Sequence, residues 1–133
     1  MRMSKLKNKS EILIASADLL HKNCYFPAAV HCSYYGCIQL LKHIWLHKMN
    51  RTEDELDILR RSANLGVHEF LLNQVVGHIK SLDLKDFRIN NEIQQLKKLR
   101  IKADYKDEDV DFTDSSKAIY LSQIIIPVLK LYT

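Results

Sequence analysis

Apolar side chains occupy nearly every face of one predicted helix, which the sequence pattern places between Tyr25 and His47. A surface helix shows one apolar stripe and one polar face, whereas this segment offers water few polar side chains. Pro27 is tolerated only in the first turn of a helix, where its missing N–H would be unpaired anyway, so we expect the helix to begin there. The segment is therefore predicted to be the central helix of a bundle.

Helical spacing of apolar residues continues on both sides and predicts an all-α bundle of four to five helices in one domain, residues 1–133. The first helix ends near Asn23, and the short link to the central helix predicts an antiparallel hairpin. Residues 50–66 are predicted to be an exposed excursion with a short helix over 53–63, capped by Thr52 and ended by Gly66. The ranges predicted for the other long helices are 4–22, 67–82, 83 or 86 to 105, and 114 or 115 to 133.

One position breaks the apolar stripe of the helix that ends near residue 105. Ile89, Ile93 and Leu96 recur every three or four residues, and the same spacing leads next to Arg100. A buried guanidinium without partners is costly, so Arg100 must find hydrogen-bonding partners or open onto a cleft or a partner surface. Asp104 lies one helical turn away and is the nearest candidate for an ion pair.

Composition agrees with a helical protein. The chain has 133 residues, enough to bury a core without disulfides or metal, and only three glycines and two prolines interrupt it. The three cysteines are an odd number, and no secretory leader is recognisable, so we expect free thiols and a cytoplasmic location. No apolar run approaches the roughly 20 residues that span a bilayer, so no membrane association is expected.

Positive charge is concentrated in two blocks, residues 5–9 and 97–106, within a chain of net charge +4. Such blocks attract phosphates, and they are also common on solvated helix faces. No glycine-rich phosphate loop or nucleophile elbow is present, which disfavours the common enzyme types and predicts no cofactor.

The histidines of the central helix are the first candidates for catalysis or metal binding. His43 and His47 are four residues apart and share a helix face, but no third ligand is indicated, and we predict no metal site. His31, Tyr34 and Tyr35 form a denser polar and aromatic cluster. This cluster fits a buried hydrogen-bonding network or a part of a functional site.

Two stretches resemble a known family. FPAAVHCSYYGCIQLLKHIW, residues 26–45, resembles the second helix of HEPN domains (higher eukaryotes and prokaryotes nucleotide-binding). LRIKADY, residues 99–105, resembles the R-x-x-A-D-Y signature of small uncharacterised prokaryotic proteins in that superfamily. The resemblance covers most of the chain and implies an up-and-down bundle, frequently a homodimer. The superfamily contains RNA-cleaving toxins, RNA-binding modules and partners of minimal nucleotidyltransferases.

The resemblance also implies site residues. In ribonucleases of the superfamily, an arginine and a histidine with four to six residues between them act on RNA without metal at the dimer cleft. Arg100 matches the arginine, and Asp104 and Tyr105 match the signature that follows, so these three are the predicted catalytic residues. The histidine does not carry over, because Tyr105, Lys106 and Asp107 stand at its positions and cannot exchange protons at neutral pH as histidine does. Ribonuclease activity therefore stays open.

Arg61 and His68 have the spacing of such a pair. About one accidental match of this kind is expected in a chain of this composition, as is usual for short motifs. Gly66 lies between the two residues, so we expect them not to share a helix, and we do not assign them as a catalytic pair.

Two hypotheses follow for the function. In the first, the chain is a HEPN-like RNA- or nucleotide-binding module, or a toxin component with an antitoxin or nucleotidyltransferase partner. Lys97 and Arg100 would then engage phosphate, with Tyr34 and Tyr105 lining the cleft. In the second, the chain is a non-catalytic interaction or dimerisation module, in which Arg100 and Asp104 form a structural latch and the apolar last helix supplies the partner surface.

Overall fold

The computed structural model describes residues 4–82 and 89–133, and within these parts the chain is all-α, with six α-helices and no strand. The predicted all-α class is confirmed, and the number of helices exceeds the predicted four to five because the short capped helix α3 is an element of its own. The helices are α1 (Leu6–Lys22), α2 (Phe26–His43), α3 (Glu53–Ser62), α4 (Val67–Leu82), α5 (Asn90–Tyr105) and α6 (Phe112–Lys130).

The central position predicted for α2 is confirmed. α2 packs against α1, α4, α5 and α6, and four of its side chains, Val30, Tyr34, Leu40 and Leu41, are among the largest fully buried ones. Pro27 lies in the first turn, as predicted, and α2 continues without a break into a π-helical segment, Ile44–Lys48. This segment carries Trp45, whose side chain is completely buried and belongs to the hydrophobic core.

α1, α2 and α6 pack together as a bundle. The chain reverses after α1 at Cys24, which has a left-handed φ of 63°, and α1 and α2 form the predicted hairpin. Gly36 lies where the two helices approach closely, because a Cβ atom at this position would lie 2.5 Å from Cδ1 of Ile14. α6 begins beside the end of α1, where the Ser115 hydroxyl and Nδ1 of His21 are 2.7 Å apart.

The predicted start of α6 is wrong by a few residues. Asp111 caps the helix, and not Asp114 or Ser115: its carboxylate accepts a hydrogen bond from the Asp114 backbone N–H at 2.9 Å. Asp114 instead completes the capping box and forms an ion pair with Lys102, whose Nζ lies 2.8 Å from its carboxylate. Ser115 is fully buried. Several acidic residues precede this helix, and each of them is a plausible cap by residue type alone.

The other boundaries follow the sequence pattern closely. Thr52 caps α3 in a reciprocal box with Glu55, as its position before an acidic turn predicts. After α3 the left-handed residue is Asn64, with φ of 57°, and not Gly66. α4 has the predicted bounds, and α5 ends at Tyr105 as predicted. Its predicted start at 83 or 86 lies outside the described residues.

Two further predictions concern the cysteines and the absence of a membrane-spanning segment. Cys24, Cys32 and Cys37 are all free thiols, as expected. Among the helices of residues 4–82 and 89–133, none is both long and apolar enough to cross a membrane.

Candidate functional site

Two groups of residues that the sequence placed on separate helices meet in the structure. α2 supplies the polar and aromatic group, α5 supplies the R-x-x-A-D-Y group, and the first turn of α4 adds a histidine. We call the assembly the Arg100 cluster; its members are His31, Tyr34, Tyr35, His68, Arg100, Asp104 and Tyr105.

The Arg100 guanidinium is fixed on several sides. Its Nε donates a hydrogen bond to Oδ2 of Asp104 at 3.1 Å, and one Nη donates to the hydroxyls of Tyr35 at 2.6 Å and Tyr105 at 3.1 Å. Its carbon centre lies 5.3 Å from the ring centres of Tyr34 and Tyr35 and 4.9 Å from that of Tyr105, within the range of cation–π attraction. The side chain is only 11% exposed. The expectation that Arg100 must find partners, with Asp104 the nearest, is therefore confirmed.

Asp104 joins α5 to α2 through a second partner. Nδ1 of His31 lies 2.9 Å and 3.1 Å from the two carboxylate oxygens of Asp104, one of which also accepts from Arg100. The His31 ring stacks on Tyr35 with ring centres 4.5 Å apart. Four side chains thus hold α2 and α5 in one register.

Tyr34 and His68 form the inner side of the cluster. Tyr34 is 1% exposed, and its hydroxyl lies 3.1 Å from Nδ1 of His68. Burial raises the pKa of Tyr34, so the hydroxyl keeps its proton and can donate it to the imidazole. Burial, with the charges of Arg100, Lys97 and Lys42, lowers the pKa of His68 from 6.5 to about 4. His68 is therefore a neutral imidazole at physiological pH.

A cleft of about 420 Å³ opens beside the cluster. It is lined by residues 64–69, which lead into the first turn of α4, and by Lys97 and Arg100 from α5. Lys97 donates to Oε2 of Glu69 at 2.7 Å, so each cation at this cleft has a carboxylate partner. The cleft thus combines two cations, the Glu69 carboxylate and a neutral imidazole.

The structure brings most of the predicted site residues together near the cleft and buries one of them. Arg100, Asp104 and Tyr105 are bonded to one another, and Lys97 reaches the same cleft as Arg100. Tyr34 is buried beneath them, where its contacts are with other members of the cluster.

The sequence did not predict that His68 meets Arg100. As expected, Arg61 and His68 lie on different helices, and Arg61 pairs with Asp57 at 2.9 Å. His68 instead approaches Arg100 from α4. The apolar pattern predicted where α4 begins. It could not predict that the first turn of α4, which carries His68, would contact the tyrosines of α2.

The second histidine pair of α2 makes other contacts. Nδ1 of His43 lies 2.6 Å from the Ser4 hydroxyl, and the rings of His43 and His47 are 5.1 Å apart. Within the described parts of the chain, no three histidine, cysteine or acidic side chains group in a way that could hold a metal ion.

Comparison of the chain with protein families, with curated proteins and with solved structures gives no match. The resemblance to HEPN domains therefore stays a prediction from the sequence motifs.

Replacing Tyr35 by Phe tests how strongly the cluster stabilises the fold. The substitution removes the hydroxyl that accepts from Arg100 at 2.6 Å, and we expect a loss of about 1.5–3 kcal/mol of unfolding free energy, the range for hydrogen bonds to charged groups. Urea denaturation measures the unfolding free energy of the variant and of the wild type. Tyr120→Phe is the matched control, because Tyr120 is 59% exposed and forms no hydrogen bond with the described residues. Equal stabilities of the two variants would contradict the structural role of Tyr35.

The pKa of His68 predicts a pH dependence of stability. Because the folded-state pKa of about 4 is below the ordinary value of 6.5, the unfolded state binds more protons between these values, and unfolding free energy falls as pH decreases from 6.5 to 4. His68→Asn should reduce this slope, as measured by urea denaturation at several pH values. An NMR titration of the imidazole with a midpoint near 6.5, or identical slopes in both proteins, would show that His68 is not desolvated as described.

Proposed function

We propose that this chain is a HEPN-like module that binds RNA or a nucleotide through phosphate at the cleft beside the Arg100 cluster. One observation carries the proposal: the second Nη of Arg100 forms no hydrogen bond with any described residue, while the rest of the guanidinium is held in place. A phosphate oxygen can accept from this nitrogen without displacing Asp104 or Tyr35. A fixed guanidinium with free N–H groups loses little side-chain entropy on binding an anion.

Lys97 extends the phosphate site. Its ammonium group has three N–H donors and gives one to Glu69, so donors remain for a second phosphate oxygen. Glu69 and Asp104 oppose an incoming anion, so we expect moderate affinity that falls with salt concentration.

Tyr105 supplies a surface for a base. The residue is 69% exposed although its hydroxyl accepts from Arg100, so the side chain is held at its hydroxyl while much of the residue faces solvent. Exposed aromatic rings beside arginine stack on unpaired bases, which is the usual mode of single-stranded RNA recognition. The ligand we propose is therefore a single strand or a nucleotide rather than a duplex.

Cleavage of RNA is the catalytic form of this proposal. By resemblance, Arg100, Asp104 and Tyr105 would act on the attack of a 2′-hydroxyl, and the neutral imidazole of His68 lies at the same cleft as a group able to exchange a proton. A toxin role, with an antitoxin or nucleotidyltransferase partner, and assembly as a homodimer are further parts of the proposal that rest on the resemblance.

A second candidate is the non-catalytic interaction module, favoured by the 11% exposure of Arg100. Here the cluster is a latch that fixes the register of α2 and α5. The partner surface would be α6 with the residue that follows it: Phe112 and Tyr120 on the helix are exposed by 61% and 59%, and Leu131 at its C-cap by 79%.

Incubation of the purified protein with total RNA in EDTA, beside Arg100→Ala, separates the two candidates. The RNA module predicts that Arg100→Ala stays folded by circular dichroism and loses binding to a labelled single-stranded oligonucleotide, together with any cleavage that the wild type shows. Lys98→Ala, an exposed neighbour on α5, is the control for loss of one charge.

The opposite results favour the latch. Removing one partner of a buried ion pair costs about 3–5 kcal/mol, so a latch variant should unfold or melt much earlier. Absence of RNA binding by the folded wild type would contradict the RNA module, and binding without cleavage would exclude only the ribonuclease form.

A further inference from the structure

A second cavity, of about 820 Å³, lies at the opposite end of α3 from the first. Its walls come from the start of α1, the π-helical segment after α2, and residues 51–54. The first cavity is lined by residues 64–69, just past the other end of α3. α3 has ten residues and is about 15 Å long, so the two cavities lie near opposite ends of a helix of this length.

Arg51 is fixed at the wall of this cavity. Asn50 has a left-handed φ of 54° and turns the chain back over Trp45, so that the Arg51 backbone N–H donates to the Trp45 carbonyl at 3.0 Å. The guanidinium lies 5.5 Å from the centre of the Trp45 ring, and one Nη donates to Glu55 at 2.6 Å. The indole N–H of Trp45 donates to the Thr52 carbonyl at 2.8 Å and closes the turn. The Nε and second Nη of Arg51 have no hydrogen-bond partner among residues 4–82 and 89–133.

Two lysines line the same cavity, one at the N-cap of α1 and one in its first turns. Lys5 and Lys9 are four residues apart, both are exposed, and neither forms an ion pair with a described residue. The carboxylates at this cavity are Glu53, which pairs with Lys42 at 3.4 Å, and Asp54, which has no partner in the described parts of the chain. Two cations at the cavity, Lys5 and Lys9, are therefore unpaired, against one unpaired carboxylate, Asp54. The Arg51 guanidinium beside them still has free N–H donors.

We propose that this cavity binds a phosphate group, held by the free donors of Arg51 and by the ammonium groups of Lys5 and Lys9. Guanidinium N–H pairs match the geometry of phosphate oxygens, and two ammonium groups on another side of the cavity neutralise the remaining charge. His47 lines the cavity as a further hydrogen-bonding group. The volume lies within the range of pockets that enclose small ligands, so the phosphate can belong to a nucleotide or to an RNA strand. This site uses none of the residues of the Arg100 cluster, and it stands or falls independently of the function proposed there.

The single tryptophan of the chain is a local probe of this site. Because Trp45 lies under Arg51 and its N–H is bonded to Thr52, we expect inorganic pyrophosphate, added at constant ionic strength, to change its fluorescence and its indole N–H NMR signal saturably. Lys5→Gln with Lys9→Gln should weaken this binding about tenfold, the effect of about 1.4 kcal/mol. Asp54→Asn should strengthen it, because it removes the unpaired carboxylate.

The matched control is Lys98→Gln with Lys117→Gln, which removes the same charge from exposed lysines on α5 and α6, outside the cavity. It should change the affinity less than about twofold, since distant surface charges are screened by salt. Equal weakening by both double variants, or the absence of any saturable change in both Trp45 signals, would overturn the proposal. Circular dichroism confirms that each variant is folded.

Competition identifies the source of the phosphate. Displacement of pyrophosphate by adenosine diphosphate indicates a nucleotide ligand, and displacement by a single-stranded RNA oligonucleotide indicates an RNA strand. Failure of both to displace it would overturn the proposal.

Discussion

A positive charge occupies a position in the α2–α5 interface where the helical spacing calls for an aliphatic side chain. α5 buries Ile93 and Leu96, and the next position of the same stripe is Arg100. The helices can close over a guanidinium only if its charge and its N–H groups are satisfied. Asp104 supplies the charge from the following turn, and Tyr35 supplies an acceptor from α2. The local arrangement of α2, α5 and the start of α4 depends on this requirement.

The same requirement shows how far the sequence could predict the site. Arg100 was identifiable as an exception to the apolar pattern, and Asp104 as its partner, because both lie on one helix at a spacing that fixes their distance. Tyr35 and His31 lie 65 and 73 residues away from the groups they bond. No periodicity relates such distant positions, so their contacts with α5 emerge only from the packing of the helices.

Helix starts were predictable where a single residue near the first turn determines them. Pro27 and Thr52 mark helix starts because each satisfies or avoids an unpaired N–H in the first turn, and both helices begin there. The start of α6 was misplaced because Asp111 and Asp114 are equally suited to cap by residue type. They divide the two roles of a capping box, and only the geometry shows which one stands first. The π-helical segment after α2 has no signature in the apolar pattern, yet it carries Trp45, on which Arg51 stacks.

Both proposed anion sites use arginines that are held by aromatic rings and a carboxylate while some of their N–H groups stay free. Arg100 is fixed between tyrosines and Asp104, and Arg51 is fixed between Trp45 and Glu55. The segment 50–66, which the sequence predicts to be an exposed excursion with a short helix, connects the two sites through α3. Both proposals of phosphate recognition rest on these shared features.

The Nε–H NMR signal of Arg100, followed during titration with a single-stranded RNA oligonucleotide, tests the central claim most directly. In the free protein this proton is bonded to Asp104, so we expect a distinct signal that exchanges slowly with water. If phosphate binds the free Nη of the same guanidinium, the signal shifts saturably with RNA and the Asp104 bond is retained. An Arg100 signal that stays unchanged at saturating RNA would contradict phosphate recognition at this cleft and leave the cluster as a structural latch.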